Sequence, residues 1–237
     1  MSRDFEPNGV RPSSQDPLHG GSIDGQRFVL VRRLGRGGTG EVHEGLLNLL
    51  DGSTNRVAIK VLVDDPTDEP GRLRDFVEFS KDFRHPNVLA PFEFIPSSGG
   101  RVLLTRFVEG LPLVEVQRRM KRLGRPLPVS LVLEIILQTL NGLAYLHSAA
   151  PGSTHLHKCV KPSNLLIGAD GIVRILDVGV NNPFMDVAQR NKGLAVLSVL
   201  PYMAPEQLND GPKVSLTPST DLYSLATVAY ELLAGRL

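Results

Sequence analysis

Gly35, Gly37 and Gly40, with Val42 two residues on, form a G-x-G-x-x-G-x-V run inside Leu34–Val42. This spacing removes Cβ atoms where a backbone has to turn tightly or approach a phosphate. A dinucleotide-binding fold would pass from the third glycine into a helix. Here Glu41-Val42-His43-Glu44-Gly45 reads as a strand returning from the loop, and a further strand, Val57-Ala58-Ile59-Lys60, follows it. The glycines therefore cap an antiparallel hairpin, and taken alone they imply no more than that.

The texture around the hairpin extends the same reading. Short β-like runs cover Phe28 to Leu34, Val42 to Leu47 and Val57 to Val63, with a turn at Asp51-Gly52-Ser53. A helix over Gly71 to Phe83 and strands at Pro91 to Ile95 and Val102 to Phe107 complete a small antiparallel sheet with one helix. Beyond Gly110 the pattern turns mainly helical. From Ser130 to His147, Val132, Leu133, Ile136, Leu137, Leu140 and Leu143 recur at helical spacing. Two short strands are predicted at Leu165 to Ile167 and Val173 to Leu176. A last helix starts within Thr217 to Asp221 and carries Leu222, Leu225, Val228, Leu232 and Leu233 on several faces. The pattern reads as α+β: a small sheet with one helix over residues 27–109, then a mainly helical part over residues 110–237. Residues 1–26, with Pro7, Pro12 and Pro17 among polar neighbours, read as a disordered leader.

The 237 residues suffice for one large domain or two closely packed lobes. The 26 Lys and Arg nearly balance the 25 Asp and Glu, so no global field favours nucleic acid or acidic lipid. Cys159 is the single cysteine, which excludes an internal disulfide framework and suits a reducing, cytoplasmic setting. The first 26 residues lack the apolar core of a signal peptide, and no uninterrupted apolar run approaches a membrane span.

Chemistry enters with Lys60, a strand lysine able to reach back toward the glycine loop and neutralise phosphate charge. Downstream come His157-Lys158-Cys159-Val160-Lys161-Pro162-Ser163-Asn164, then Asp177-Val178-Gly179, then Ala204-Pro205-Glu206. With the glycine loop and Lys60, these motifs in this order resemble the serine/threonine protein kinase family from about Phe28 to the last residue. The resemblance implies a bilobal kinase-like fold and the cofactors ATP and Mg2+. Asn164 and Asp177 would be the metal ligands, and Lys161 would contact the γ-phosphate. Gly35, Gly37, Gly38 and Gly40 would lie over the phosphates, and Lys60 would pair with them. Leu34, Val42, Ala58 and Leu166 would sandwich the base, and backbone groups of the hinge at Thr105 to Gly110, among them Arg106 and Val108, would meet adenine. Asp221 resembles the aspartate that braces the catalytic loop, a residue that also suits a helix N-cap.

Several positions depart from the family pattern. Cys159 stands where the aspartate that accepts the substrate proton belongs, and a thiol is a weak acceptor. Val199 takes the place of a threonine that supports that aspartate. Phe76 falls where a glutamate should pair with Lys60, with Asp75 and Glu78 one and two residues away. Lys158 replaces an arginine, and residues 181–197 contain no Ser, Thr or Tyr, which argues against a loop-phosphorylation switch. His155, His157 and Cys159 would suit zinc by ligand type, but no fourth ligand accompanies them. The basic run Arg118, Arg119, Lys121, Arg122 and Arg125 reads as a solvated helix face. Family members continue beyond the late helix, so the C-lobe is expected to be incomplete, and Glu206 to lack its usual arginine.

The expected function is a kinase-like domain that binds ATP and Mg2+ and has impaired phosphoryl transfer to Ser/Thr. An active serine/threonine kinase and a nucleotide-independent scaffold are the alternatives. The partners implied are ATP and a protein substrate or signalling partner, with no nucleic acid and no membrane.

Overall fold

The computed structural model describes residues 22–23, 26–37, 39–62, 71–97, 100–149, 155–180, 198–208 and 215–236. Strands β1 (Ser22–Ile23), β2 (Gln26–Gly37), β3 (Gly40–Asn48), β4 (Thr54–Leu62), β5 (Glu93–Ser97) and β6 (Gly100–Arg106) form one antiparallel sheet, in the order β1-β2-β3-β4-β6-β5. Helix α1 (Arg72–Ser80) lies between β4 and β5 in sequence. Strands β7 (Gly110–Pro112), β8 (Leu165–Gly168) and β9 (Val173–Ile175) make a second, three-stranded sheet. Helices α2 (Leu113–Arg122), α3 (Val129–Ser148) and α4 (Pro218–Ala234) accompany it.

The period-2 alternation of strands sorts the residues of the larger sheet onto two faces. Val57 and Ile59 share a buried cluster with Phe28, Leu30, Ile95, Val102 and Leu104. The residues between them face the other way, where Leu62 and Leu103 pack with Leu73 and Val77 of α1. Ala58 and Lys60 therefore lie on the α1 side. Gly40 follows from the same sheet: its φ is +145°, and an added Cβ would overlap the Val61 carbonyl on β4. The third glycine of the loop is required by strand packing, whereas Gly35 and Gly37 would meet nothing within 4 Å if they carried a Cβ.

The second core joins α3 and α4 to the small sheet through Ile135, Leu143, Leu146, Leu165, Ile175, Leu225 and Val228. Helix α3 is long and apolar enough to cross a bilayer by length and composition, although Glu134, Gln138 and Asn141 interrupt its apolar residues. Its buried residues, Val132, Ile135, Thr139, Gly142, Leu143 and Leu146, form the stripe that this core needs.

Two expectations are corrected, and one strand is added. The leader does not reach residue 26 without structure, because Ser22 and Ile23 pair with Arg27 and Gln26; its first 21 residues lie outside the described ones. The helix predicted to Phe83 stops at Ser80, where a tighter turn takes over with Phe83 N–H donating to the Ser80 carbonyl at 2.9 Å. Strand β7 was not foreseen, since three residues are too few to show a period. The basic run lies on α2 and just beyond it, where Glu115 gathers Arg119, Arg122 and Arg118 at 3.0, 3.4 and 3.8 Å. Much of its charge thus returns to its own helix.

A buried carboxylate ties the larger sheet to the hinge. Glu44 on β3 accepts from Arg56 Nη2 at 2.6 Å, and the same nitrogen lies 3.2 Å from Glu109. The Arg56 guanidinium also sits 4.2 Å from the centre of the Phe107 ring. Arg32 Nε stands 2.8 Å from the other Glu44 oxygen, close enough to pair with it but not aligned for a hydrogen bond.

Candidate active site

Lys60 leaves the last third of β4 on the α1 side and reaches Asp177 on the segment after β9, Nζ to Oδ2 2.6 Å. Burial raises the Asp177 pKa, but the Lys60 ammonium, with Lys161 nearby, outweighs it and holds the carboxyl below its ordinary value. Asp177 is therefore an anion at neutral pH. Its φ of 59° lies in the left-handed region, which aspartate tolerates better than most residues.

The pairing of β2, β3 and β4 sets the glycine hairpin beside Lys60 in the sheet. Val42 sits opposite Gly35 on one side and Lys60 on the other, and Gly37 closes the hairpin against Gly40. Gly38 lies outside the described residues. Leu34 is 41% exposed at the mouth, whereas Leu166 on β8 is 8% exposed. The hinge runs from Arg106 to Glu109, whose carbonyl accepts from Ala169 N–H at 2.8 Å. Among the described residues the backbone N–H and C=O of Val108 take no hydrogen-bond partner. Arg106, by contrast, belongs by alternation to the opposite sheet face from Lys60, so its backbone and not its side chain lies on the loop side.

The catalytic loop is held by hydrogen bonds from every direction. Asn164 Nδ2 donates to the Cys159 carbonyl at 2.9 Å, and the Asn164 carbonyl accepts from Leu176 N–H at 2.8 Å, one residue before Asp177. His157 is 1% exposed and donates from Nε2 to the Leu176 carbonyl at 2.7 Å. Its Nδ1 accepts from Cys159 N–H at 3.3 Å, so the proton sits on Nε2 and both ring nitrogens are engaged. That removes His157 from the zinc set. Among the described residues no group of three or more His, Cys, Asp or Glu is placed to hold a metal ion.

Asp221 is fully buried and accepts from Lys158 N–H at 2.6 Å, His157 N–H at 2.9 Å and His147 Nε2 at 2.8 Å. It braces the loop and does not cap the helix; the N-cap of α4 is Thr217. Lys158, with φ 66°, is clamped from both sides, since its carbonyl accepts from Gln207 Nε2 at 2.9 Å. Burial lowers the Lys158 pKa and neighbouring Arg72 lowers it further, against the pull of Asp221. The role of Gln207 was not foreseen. Glu206 accepts from Thr220 Oγ1 at 2.6 Å, which occupies it without an arginine.

Cys159 is 8% exposed and packs in an apolar cluster with Val199 and Met203, with Leu200 against it. The thiol and the valine, both departures from the family pattern, thus touch the same cluster. On α1, Phe76 lies against Gly179, while Glu78 pairs with Lys81 just past the helix end. The segment 181–197 lies outside the described residues.

The donor set fits a nucleotide with a hard divalent cation. The Lys60 ammonium pairs with the ionised Asp177, Asn164 is tied through Leu176 N–H to the residue before Asp177, and the first two glycines of the loop leave open space. What the constellation lacks is a carboxylate at position 159.

A model of the protein kinase domain family matches residues 28–237. The chain is 32% identical over 188 residues to the serine/threonine-protein kinase PknA of Corynebacterium glutamicum, covering 76% of this chain and 38% of that protein. It is 31% identical over 231 residues to the serine/threonine-protein kinase PknL of Mycobacterium tuberculosis, covering 95% of this chain and 53% of the relative. It thus spans about half or less of the length of these relatives. The kinase domain of Mycobacterium tuberculosis PknI has a similar fold, with a TM-score of 0.67 and 24% identity, over 88% of this chain and 75% of that one. With the match extending from the first long strand to the end of the chain, and the bilobal α+β architecture in place, the chain belongs to the protein kinase family.

Proposed function

We propose that this kinase domain binds ATP with Mg2+ and transfers phosphate to serine or threonine hydroxyls slowly or not at all. The observation that carries the proposal is a division within one site: Lys60 and Asp177 stay paired at 2.6 Å, whereas Cys159 is buried among Val199, Met203 and Leu200.

When bound, ATP with Mg2+ would supply the γ-phosphoryl group and neutralise the charge that develops on it. Lys60 would meet the inner phosphates, and the backbone at Gly35 and Gly37 is free of side chains where it would approach them. Asn164 and Asp177 offer oxygens of the kind Mg2+ prefers. Lys161, whose charge already acts on Asp177, would face the γ-phosphate. Leu34, Val42, Ala58 and Leu166 would enclose the base, with Arg106 and Val108 contributing backbone.

Transfer to a hydroxyl also requires the hydroxyl to lose a proton. A thiol accepts hydrogen bonds poorly, and an apolar cluster disfavours its thiolate. General-base catalysis is worth roughly 10²- to 10⁴-fold, so a kinase turning over at about 1–100 s⁻¹ would fall to a slow residual rate.

Thermal melting with and without Mg2+ and ATP tests the binding half. No rise in Tm at millimolar nucleotide removes it and leaves a nucleotide-independent scaffold. Single-turnover transfer of labelled phosphate to a protein substrate tests the other half, comparing the natural chain with Cys159→Asp and Cys159→Asp/Val199→Thr. A gain of at least tenfold in the double variant is expected. The second reading, an active serine/threonine kinase, is favoured by the kinases among its relatives; equal and substantial rates in all three proteins would establish it.

A further inference from the structure

We propose that a cleft on the reverse side of the hinge, between residues 84–89 and Arg106–Val108, is a docking site for a peptide segment that presents an anionic side chain next to an apolar one. The cleft has a volume of about 390 Å³, and its lining includes Arg84, Arg106 and Arg174 and no acidic residue.

Its position separates it from the nucleotide side. Leu103 of β6 packs with α1, whereas Leu104 packs in the opposite cluster, so Arg106, in step with Leu104, projects away from Lys60. The floor is fixed before any ligand arrives. Leu89 N–H donates to the Ile175 carbonyl at 3.0 Å, Ile175 N–H to the Asn87 carbonyl at 2.9 Å, and Asn87 Nδ2 to the Val173 carbonyl at 2.8 Å. Val88 and Leu89, which line the cleft, are therefore held against β9, and Phe107 and Val108 supply further apolar wall.

The three guanidinium groups are not equally committed. Arg174 is held by Asp170 in a two-nitrogen fork, at 2.7 and 3.0 Å, and its charge is balanced there. Arg84 places Nη1 on the carbonyls of Lys81 and Phe83, and its nearest carboxylate, Asp82, is 3.8 Å away with both side chains well exposed. Arg106 has no ion pair or side-chain hydrogen bond among the described residues. His85, stacked on Tyr145 at 4.9 Å with its pKa lowered by burial, is neutral at pH 7 and adds shape but no charge. The cleft thus offers one unengaged and one loosely engaged guanidinium beside an apolar floor.

That chemistry selects a peptide side chain. Arginines grouped at a pocket recognise carboxylates and phosphates through charge-assisted hydrogen bonds. The volume suits one or two side chains, and the apolar floor would be wasted on a bare ion. An aspartate or glutamate and a phosphorylated serine share the required anion, and the two sources are separable by experiment.

The full chain would be titrated, without nucleotide, with fluorescein-labelled nine-residue peptides of glycine and serine. Each has a central leucine followed by phosphoserine, glutamate or serine. The phosphoserine or glutamate peptide, or both, should bind saturably below about 1 mM, and the serine peptide at least tenfold more weakly. Arg106→Ala and Arg84→Ala should each weaken the anionic peptide about tenfold and leave the serine peptide and the melting temperature unchanged. Asp170→Asn, by releasing the Arg174 fork, should tighten it several-fold. Lys60→Ala should change nothing, so this outcome is separate from that of the nucleotide-binding reading. Absence of saturable binding to either anionic peptide, equal affinity for all three, or equal loss of all three in Arg106→Ala would overturn the proposal.

Discussion

The ring of Phe76 on α1 lies over Gly179, so closely that a Cβ at position 179 would overlap Cγ, Cδ1 and Cε1 of the ring. Arg72, one turn earlier, donates from Nη1 to the Gly179 carbonyl at 3.4 Å. The helix is thus docked on the Asp177-Val178-Gly179 turn by an aromatic face and a hydrogen bond from Arg72. Lys60 is left to Asp177. Further along the helix, Phe79 stacks on His155 at 4.3 Å and meets Phe83 edge-on at 5.1 Å, so the docking continues as an aromatic ladder.

Gly179 has two reasons to be glycine, its φ of 74° and the ring above it. Gly179→Ala should cost about 2–4 kcal/mol, combining left-handed strain with overpacking. Phe76→Ala should cost about 2–3 kcal/mol through lost packing of a half-buried ring. In the Phe76→Ala background the overlap vanishes and Gly179→Ala costs only the strain of about 1–2 kcal/mol, so the two losses should fall short of additivity by about 1 kcal/mol or more. Urea unfolding of the four proteins measures the cycle; strict additivity would place the ring elsewhere.

Cys159 and Val199 are one adaptation if their shared cluster matters energetically. Cys159→Asp alone introduces a carboxylate beside Val199 and Met203, at a cost of about 2–3 kcal/mol at pH 7. Adding Val199→Thr should return about 1 kcal/mol by offering a hydroxyl to that carboxylate. Burial raises the pKa of the new acid, so the penalty should shrink as pH falls toward the unfolded value of about 3.9. Chemical denaturation at pH 7 and pH 4.5 checks both signs. An additive, pH-independent loss would separate the two positions.

Asp221 carries more of the catalytic loop than its place at the start of α4 suggests. Asp221→Ala leaves two buried backbone N–H groups and His147 without their acceptor, at about 4 kcal/mol. Thr217→Ala, at the N-cap, should cost only about 1 kcal/mol. The contrast is measured by urea midpoints. A similar loss in both variants would mean that Asp221 serves the helix and not the loop.

The parts of the site legible in the sequence are those that local spacing fixes. The glycine hairpin, Lys60 on the strand after it, and the loop from His157 to Asn164 each need only a dozen residues to be recognised, and α3 announces itself through Val132, Leu143 and their neighbours. What was not legible depends on contacts across long stretches of chain. Arg56 finds Glu44 twelve residues away and Glu109 fifty-three away, and neither partner stands out among the charged residues. Gln207 joins the carbonyl of Lys158 to the amide of Ala204 with no more signal than any surface glutamine. Phe76 could be named as a departure by counting back from His85, but its contact with Gly179 required the fold.

The Asp170–Arg174 fork yields a pH dependence with a defined sign. The two guanidinium hydrogen bonds, followed by the Ile172 N–H, lower the Asp170 pKa from 3.8 to about 2. A carboxyl depressed on folding contributes stability that is complete above the unfolded value and is lost as pH falls through the folded one. The contribution should therefore be intact above pH 3.8 and fade toward pH 2. Because Asp170 is solvent-exposed, the effect is small and should weaken further in high salt. A titration followed by the carboxyl carbon shift of Asp170 should give a midpoint near 2 in the natural chain. In Arg174→Gln the midpoint should move up toward the ordinary aspartate range, while Lys60→Ala leaves it in place. An ordinary midpoint in the natural chain would mean that the fork is open in solution. Arg174 would then face the reverse-side cleft as a third available guanidinium, and Asp170→Asn would no longer tighten an anionic peptide there.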